Sequence, residues 1–491
     1  MKEQPSIDVN PMGNIKAGKA TVAEALDYFG VTETLLRKVL AAALEQGGDY
    51  ADLFFEHTYS NRIILMDGKV NRCASNIDFG VGVRVLYGEQ SGYAYVEGVE
   101  PEEMLKAARM AARIASSGQP GQVAPLREMA LPKSRYAVLS PWEEVSIKAK
   151  IPFLEELNHR IFSLDPRVIQ VDGSLADTTT HILFCNSEGV LYYDYRPMAE
   201  LSANCVMQHE GVVERGYASE AFRMGFEMLT QERLEALAHE AVRQTKQLFG
   251  ATKPKGGEMP VVMGAGSSGI LLHEAIGHAF EADFNRKRTS IFCDLLGKKI
   301  CHESINVVDD GTILFNRGAV NFDDEGVEGQ KTYLVTNGVL TSYMHDRISA
   351  RCYGIAPTGN GRRDSFRSMP IPRMRATYME SGQCTEEEII ASVKQGIYVD
   401  NFTNGQVQIG AGDFTFFVKS GYMIENGRLT QPVKNINIIG NGPQALADIT
   451  LVANNSKNDN SVWACGKEGQ TCPVTCGMPS VLVSRLTVGG E

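Results

Sequence analysis

The stretch Glu258–His278, "EMPVVMGAGSSGILLHEAIGH", can be read toward either of two folds. Gly264, Gly266 and Gly269 spell G-x-G-x-x-G between an expected strand and an expected helix, the fingerprint of a doubly wound dinucleotide-binding protein. The context argues against it: no run of βαβ units surrounds the stretch, and no strand ending in an acid follows at the right distance. The glycines are instead expected to turn the chain tightly and bring the helix close to a sheet. The second half of the stretch points to a metal. His273, Glu274 and His278 nearly make the zinc signature H-E-x-x-H, but the second histidine comes one residue late. An α-helix turns about 100° per residue, so positions i and i+5 point roughly 140° apart. A single π-type bulge inserts one residue and rotates the next turn back by about 100°. The spacing therefore predicts a bulged helix, and Gly277 would ease the distortion through its backbone freedom. Two histidines on a buried helix are more often ordinary polar residues. That reading has to accommodate three metal- and base-competent residues within six positions of a chain with only nine histidines.

Zinc in a catalytic site takes three protein ligands and leaves one position open. Far downstream, "NSVWACGKEGQTCPVTCG" offers Cys465, Cys472 and Cys476. Chemistry alone does not choose among them, and each can equally be a small buried apolar residue. Glu281 and Asp283 are rival oxygen ligands, or acceptors that orient an imidazole.

The whole chain has 491 residues, enough for two or three domains with large cores. A net charge of −11 without a basic block argues against nucleic acid as a partner. No apolar run approaches 18 residues, so no membrane span is expected. The segment "MKEQPSIDVNPMGNIKAGKA" lacks an apolar core, so no export signal is expected. With ten cysteines in no tight framework, reduced thiols and a cytoplasmic location are expected.

Helical patterns at "TETLLRKVLAAALEQGG", "PEEMLKAARMAARIASSG" and "TQERLEALAHEAVRQTKQLFG", the last with Thr230 as N-cap, alternate with strand patterns up to residue 252. The linker candidate is "ATKPKGGEMP". Beyond it the chain is strand-rich, with Asn-Gly turns in "TYLVTNGVLTSYM" and "GYMIENGRLTQPV". The expected class is α+β: an N-terminal mixed α/β domain over 1–252, then a mainly antiparallel β domain over 259–491 that carries the metal-binding helix.

From about residue 265 onward the sequence resembles the TldD branch of the TldD/PmbA family, linked to peptide maturation. The resemblance rests on "SSGILLHEAIGHAFEADFNR", "VVDDGT", "DDEG", "CYGIAPTGNGRRDSFR", "MPIPRMRATYM", "GIYVDNFTNGQV", "CGKEGQ" and "LTVGG". It implies a metallopeptidase with H-E-x-x-x-H and a cysteine as third ligand. The family cysteine lies in the segment that reads "CGKEGQ" here, so the resemblance selects Cys465. The PmbA (TldE) branch lacks the metal motif and often serves as partner subunit; this chain keeps the motif, which implies the catalytic branch. The resulting expectation is one Zn²⁺ per chain on His273, His278 and Cys465, with Glu274 as general base. Candidates to bind substrate or stabilise the oxyanion are Tyr343, His345, Arg362 and Arg363. The expected substrate is a short or unfolded peptide held in extended form. The expected partner is a PmbA/TldE-like subunit or a second copy. Two alternatives remain: a non-catalytic subunit with a structural metal, and an H-E-x-x-G-H exopeptidase of the dipeptidyl-peptidase type, whose third ligand would be a glutamate.

Overall fold

The computed structural model describes residues 20–115, 118–130 and 133–490. The expectation that the first segment carries no export signal falls, except for Ala20, outside these residues. The chain is α+β, and its helices and strands are mixed in the first half as the sequence patterns require.

Strands in residues 50–222 build one sheet. Tyr50–Met66 sits at its centre, antiparallel to Lys69–Tyr87 on one side and to Val168–Asn186 on the other. Val190–His209 continues the sheet, with Val212–Phe222 beyond it. Successive side chains of a strand point to opposite faces. Leu53 and Phe55 accordingly face the helices, and the same face at the far end of the sheet packs Leu175 and Leu201. At one end of that face lie Glu33–Ala43 and Pro101–Ile114; at the other lie Ile147–Leu164 and Gln231–Lys246. Thr230 caps the last of these helices by accepting from the Arg233 N–H. Phe54, Ile182, Phe184 and Tyr192 lie on the opposite face and pack on Phe322 and Phe366 from the second half of the chain.

The second half forms two six-stranded sheets. One is built around Gly257–Met263, which pairs in parallel with Gln395–Gln408 and antiparallel with Val481–Gly489. Its strand begins inside the stretch read as a linker. The other includes Val307–Asp310, Ala376–Met379 and Thr475–Met478. Both Asn-Gly turns close hairpins: Asn337 and Gly338 have φ +49° and +75°, Asn426 and Gly427 φ +49° and +76°. That pair of left-handed residues is what a two-residue hairpin turn of type I′ needs.

The segment after Met263 does not begin a doubly wound fold. It makes one tight turn, with Gly266 at φ +89°, and then runs between the two sheets. A Cβ at Gly264 would stand 2.7 Å from the Val399 carbonyl oxygen, and one at Gly269 would stand 2.3 Å from the Gly477 nitrogen. The glycines thus permit close approach to strands of both sheets, and Leu271, Leu272, Ala275 and Ile276 join the core between them.

Candidate metal centre

Leu271–Gly277 is a π-helical turn, and the His278 N–H donates to the His273 carbonyl, an i→i+5 bond. The widening implied by the motif spacing is therefore present, and the two imidazoles face each other with ring centroids 5.1 Å apart. Gly277 has a different role from the one expected. Its φ of −59° and ψ of −51° are ordinary helical values. What glycine supplies is space, because a Cβ there would stand 2.3 Å from the Met374 sulfur. Gly277→Ala is expected to cost about 1–3 kcal/mol through overpacking, measured by chemical denaturation; unchanged stability would contradict this account of the turn.

Cys465 arrives on a hairpin, Ala464–Lys467 paired with Gln470–Pro473, turned by Glu468 and Gly469 at φ +50° and +78°. The buried Arg373 guanidinium fixes it by donating to the Cys465 carbonyl and to the Cys472 sulfur, the latter at 3.5 Å. Cys465 Sγ lies 3.4 Å from His278 Nε2. One ligand atom each from His273, His278 and Cys465 lie within 4.8 Å of one another, and all three residues are buried. Cys472 and Cys476 are buried but stand outside this group.

The electrostatics of the cluster are strongly perturbed. Burial alone would raise the Cys465 thiol, but His273 and His278 pull it down to about 4. Burial disfavours a charged His278, yet Glu281 and Cys465 hold its pKa well above the ordinary value. Glu281 Oε2 is 3.0 Å from His278 Nδ1. This is the arrangement in which a carboxylate sets the tautomer and orientation of a metal-ligating imidazole. Lys467, two residues from Cys465 on the same face of the hairpin, reaches Glu281 at 3.1 Å and Asp283 at 2.8 Å. Both acids read as rival ligands are thus engaged by this lysine. Burial raises Glu281, but Lys467 and His278 bring its carboxyl down to about 2.

The donor set fits a metal. Two imidazoles and a thiolate suit zinc, and the buried His273 Nδ1 has no hydrogen-bond partner within the protein. Glu274 is half-buried, and its carboxylate makes no hydrogen bond or ion pair among the described residues. Its Cγ lies 3.6 Å from where a Cβ of Gly405 would stand, beside the strand Gln395–Gln408.

The remaining candidates are engaged elsewhere. The Tyr343 hydroxyl donates to the Phe292 carbonyl at 2.7 Å. His345 packs against Tyr353, and burial lowers its pKa to about 4. Arg362 donates to the carbonyls of Met374 and Pro473. Arg363 donates to the Asp324 carbonyl and lies over the Phe54 ring, toward the first-half sheet. Sequence reasoning missed Lys467 and Arg373. The Glu468-Gly469 turn was a usable signal for Lys467, since a hairpin there puts residues 465 and 467 on one face. Arg373 acts across more than 90 residues of sequence and left no local signal.

Family models match the chain at 256–490, the PmbA/TldA metallopeptidase C-terminal domain, at 140–249, its central domain, and at 51–115, its domain 1. The chain therefore belongs to the PmbA/TldD metallopeptidase family, and its first half belongs with the rest. It is 39% identical to a metalloprotease TldD homolog of Haemophilus influenzae, over 94% of this chain and 96% of that one. It is 28% identical to a zinc metalloprotease TldD homolog of Saccharolobus solfataricus, over 92% of this chain and 99% of that one. The solved structure of TldE from Thermococcus kodakarensis shares the fold, with a TM-score of 0.72 at 20% identity, covering 93% of this chain and 99% of that one. Among the described residues no helix is long and apolar enough to cross a membrane.

Proposed function

We propose that this chain is a zinc-dependent peptidase that hydrolyses short or unfolded peptides. The observation that carries the reading is the convergence of His273, His278 and Cys465 beside a half-buried carboxylate, Glu274, that has no partner among the described residues. The three residues would hold one Zn²⁺, in keeping with the zinc named for the Saccharolobus relative. Bound there, zinc supplies a Lewis acid that lowers the pKa of a water molecule. Glu274 accepts the proton of the attacking water and returns it to the leaving amine. Glu281 orients His278, and Lys467 balances the charge of Glu281 and Asp283 behind it.

The strand Gln395–Gln408 supports an extended substrate. One side pairs with Asp413–Glu425 along its length, whereas the other pairs with Gly257–Met263 only at Ile397–Val399. Past Val399 that edge has no strand partner among the described residues, and Gly405 on it adjoins Glu274. A peptide added there gains backbone hydrogen bonds with little regard to its sequence. The enzyme is expected to cleave a destabilised mutant of a small domain and to spare the stable parent of equal length. Equal rates, with opening of the folded domain shown to be negligible, would contradict selection by extended conformation. A PmbA/TldE-like subunit or a second copy of this chain, in the cytoplasm, would enclose the site, in keeping with the fold shared with TldE. Metal analysis and peptide hydrolysis of the pure protein, with and without such a partner, test the reading as a whole.

A further inference from the structure

Between the first-half sheet and the second half of the chain lies a cavity of about 310 Å³ whose wall includes Arg223, Arg362 and Arg375. Their exposures are only 7%, 4% and 3%. None of the three guanidiniums makes an ion pair with a carboxylate among the described residues, although the Arg375 backbone N–H donates to Asp309. Arg223 reaches the Pro197 carbonyl at 3.5 Å and lies over the Tyr136 ring. Arg362 uses the carbonyls of Met374 and Pro473, and Arg375 that of Gly359. Arg223 Nε and Arg375 Nη2 are buried without any hydrogen-bond partner. The carboxylates of the same wall do not make up the charge. Glu200 is taken by Arg317 at 2.6 Å and Asp324 by Arg196 at 2.5 Å. Glu56 accepts from the Phe366 N–H, and burial raises its pKa to about 7. Asp364 is exposed to solvent.

A guanidinium buried without a counter-charge is costly, and like charges sharing one cavity add repulsion. Burial, together with Arg362, lowers the Arg375 pKa to about 9 against the opposing pull of Asp323 and Asp324; burial, with Arg196 and Arg362, lowers that of Arg223 to about 10 against Tyr136 and Asp194. We infer that this cavity is a binding site for an oxyanion, a carboxylate or a phosphate, held by Arg223, Arg362 and Arg375. A planar guanidinium matches either group with paired N–H donors, and the volume admits one such group with part of the molecule that bears it. The site is separate from the candidate metal centre. Ala464, Thr471 and Pro473 of the Cys465 hairpin line the cavity, and strand alternation turns Cys465 to the other face. The inference does not rest on the peptidase reading.

Inorganic phosphate titrated calorimetrically into the full chain, with ionic strength held constant by chloride, is expected to bind at one site. Arg223→Met and Arg375→Met are each expected to weaken it at least tenfold. Each variant removes a buried guanidinium that lacks a direct ion pair, so without phosphate each should melt no lower than the wild type. If either fails to fold, Arg362→Gln carries the same test with the amide retaining a donor. A short peptide with a free C-terminus that displaces phosphate, where its C-terminal amide does not, would identify a peptide terminus as the occupant. Phosphate binding with no displacement by either peptide would identify a free oxyanion, and both results support the site. No phosphate binding to the wild type, or unchanged affinity in the variants, would overturn it.

Discussion

Glu274→Gln is expected to lower peptide hydrolysis by about 10²–10⁴-fold, the range general-base catalysis supplies, with zinc content and fold as in the wild type. The amide fills the same space beside Gly405 but cannot take a proton from water. Metal binding should be untouched, because the three donors of the cluster are His273, His278 and Cys465. Stability should change little, since the carboxylate makes no hydrogen bond or ion pair among the described residues. The check pairs steady-state turnover of a short peptide with elemental analysis of the same preparation. Near-normal turnover would show that another group activates the water.

Cys465→Ala is expected to reduce bound zinc from about one per chain to a small residue, as His273→Ala does. Two imidazoles alone leave the metal short of the three protein ligands an open zinc site requires. Glu281→Gln should behave differently. It leaves all three ligands in place and disturbs only the orientation and basicity of His278, so zinc affinity should fall about 10–100-fold without disappearing. The contrast separates this site from the H-E-x-x-G-H alternative, in which a glutamate is the third ligand. Full zinc occupancy in Cys465→Ala by elemental analysis, or loss of zinc in Glu281→Gln comparable to that in His273→Ala, would refute the ligand assignment.

What the sequence revealed was local. The five-residue spacing of His273 and His278 forces an extra residue into the turn, and that requirement is independent of the rest of the fold. The Asn-Gly hairpins and the Thr230 cap were legible for the same reason: each is set by the conformational preference of one or two residues. Which cysteine joins the two histidines was not legible by chemistry. Cys465 and Cys472 are cross-strand neighbours on the buried face of one hairpin, and which sulfur meets His278 is decided by how the hairpin docks, through Arg373 and Lys467. Gly277 was misread because a glycine needed for space and one needed for φ look alike in sequence. The arginines of "GNGRRDSFR" were read as candidates to bind substrate or stabilise the oxyanion. Arg362 and Arg363 are instead buried toward the first-half sheet, a placement set by packing between distant parts of the chain.

X-ray absorption at the zinc edge of the purified protein tests the central claim most directly. The account predicts one sulfur at about 2.3 Å and imidazole nitrogens at about 2.0–2.1 Å, with the sulfur signal lost in Cys465→Ala. A zinc environment of nitrogen and oxygen alone in the wild type would contradict it.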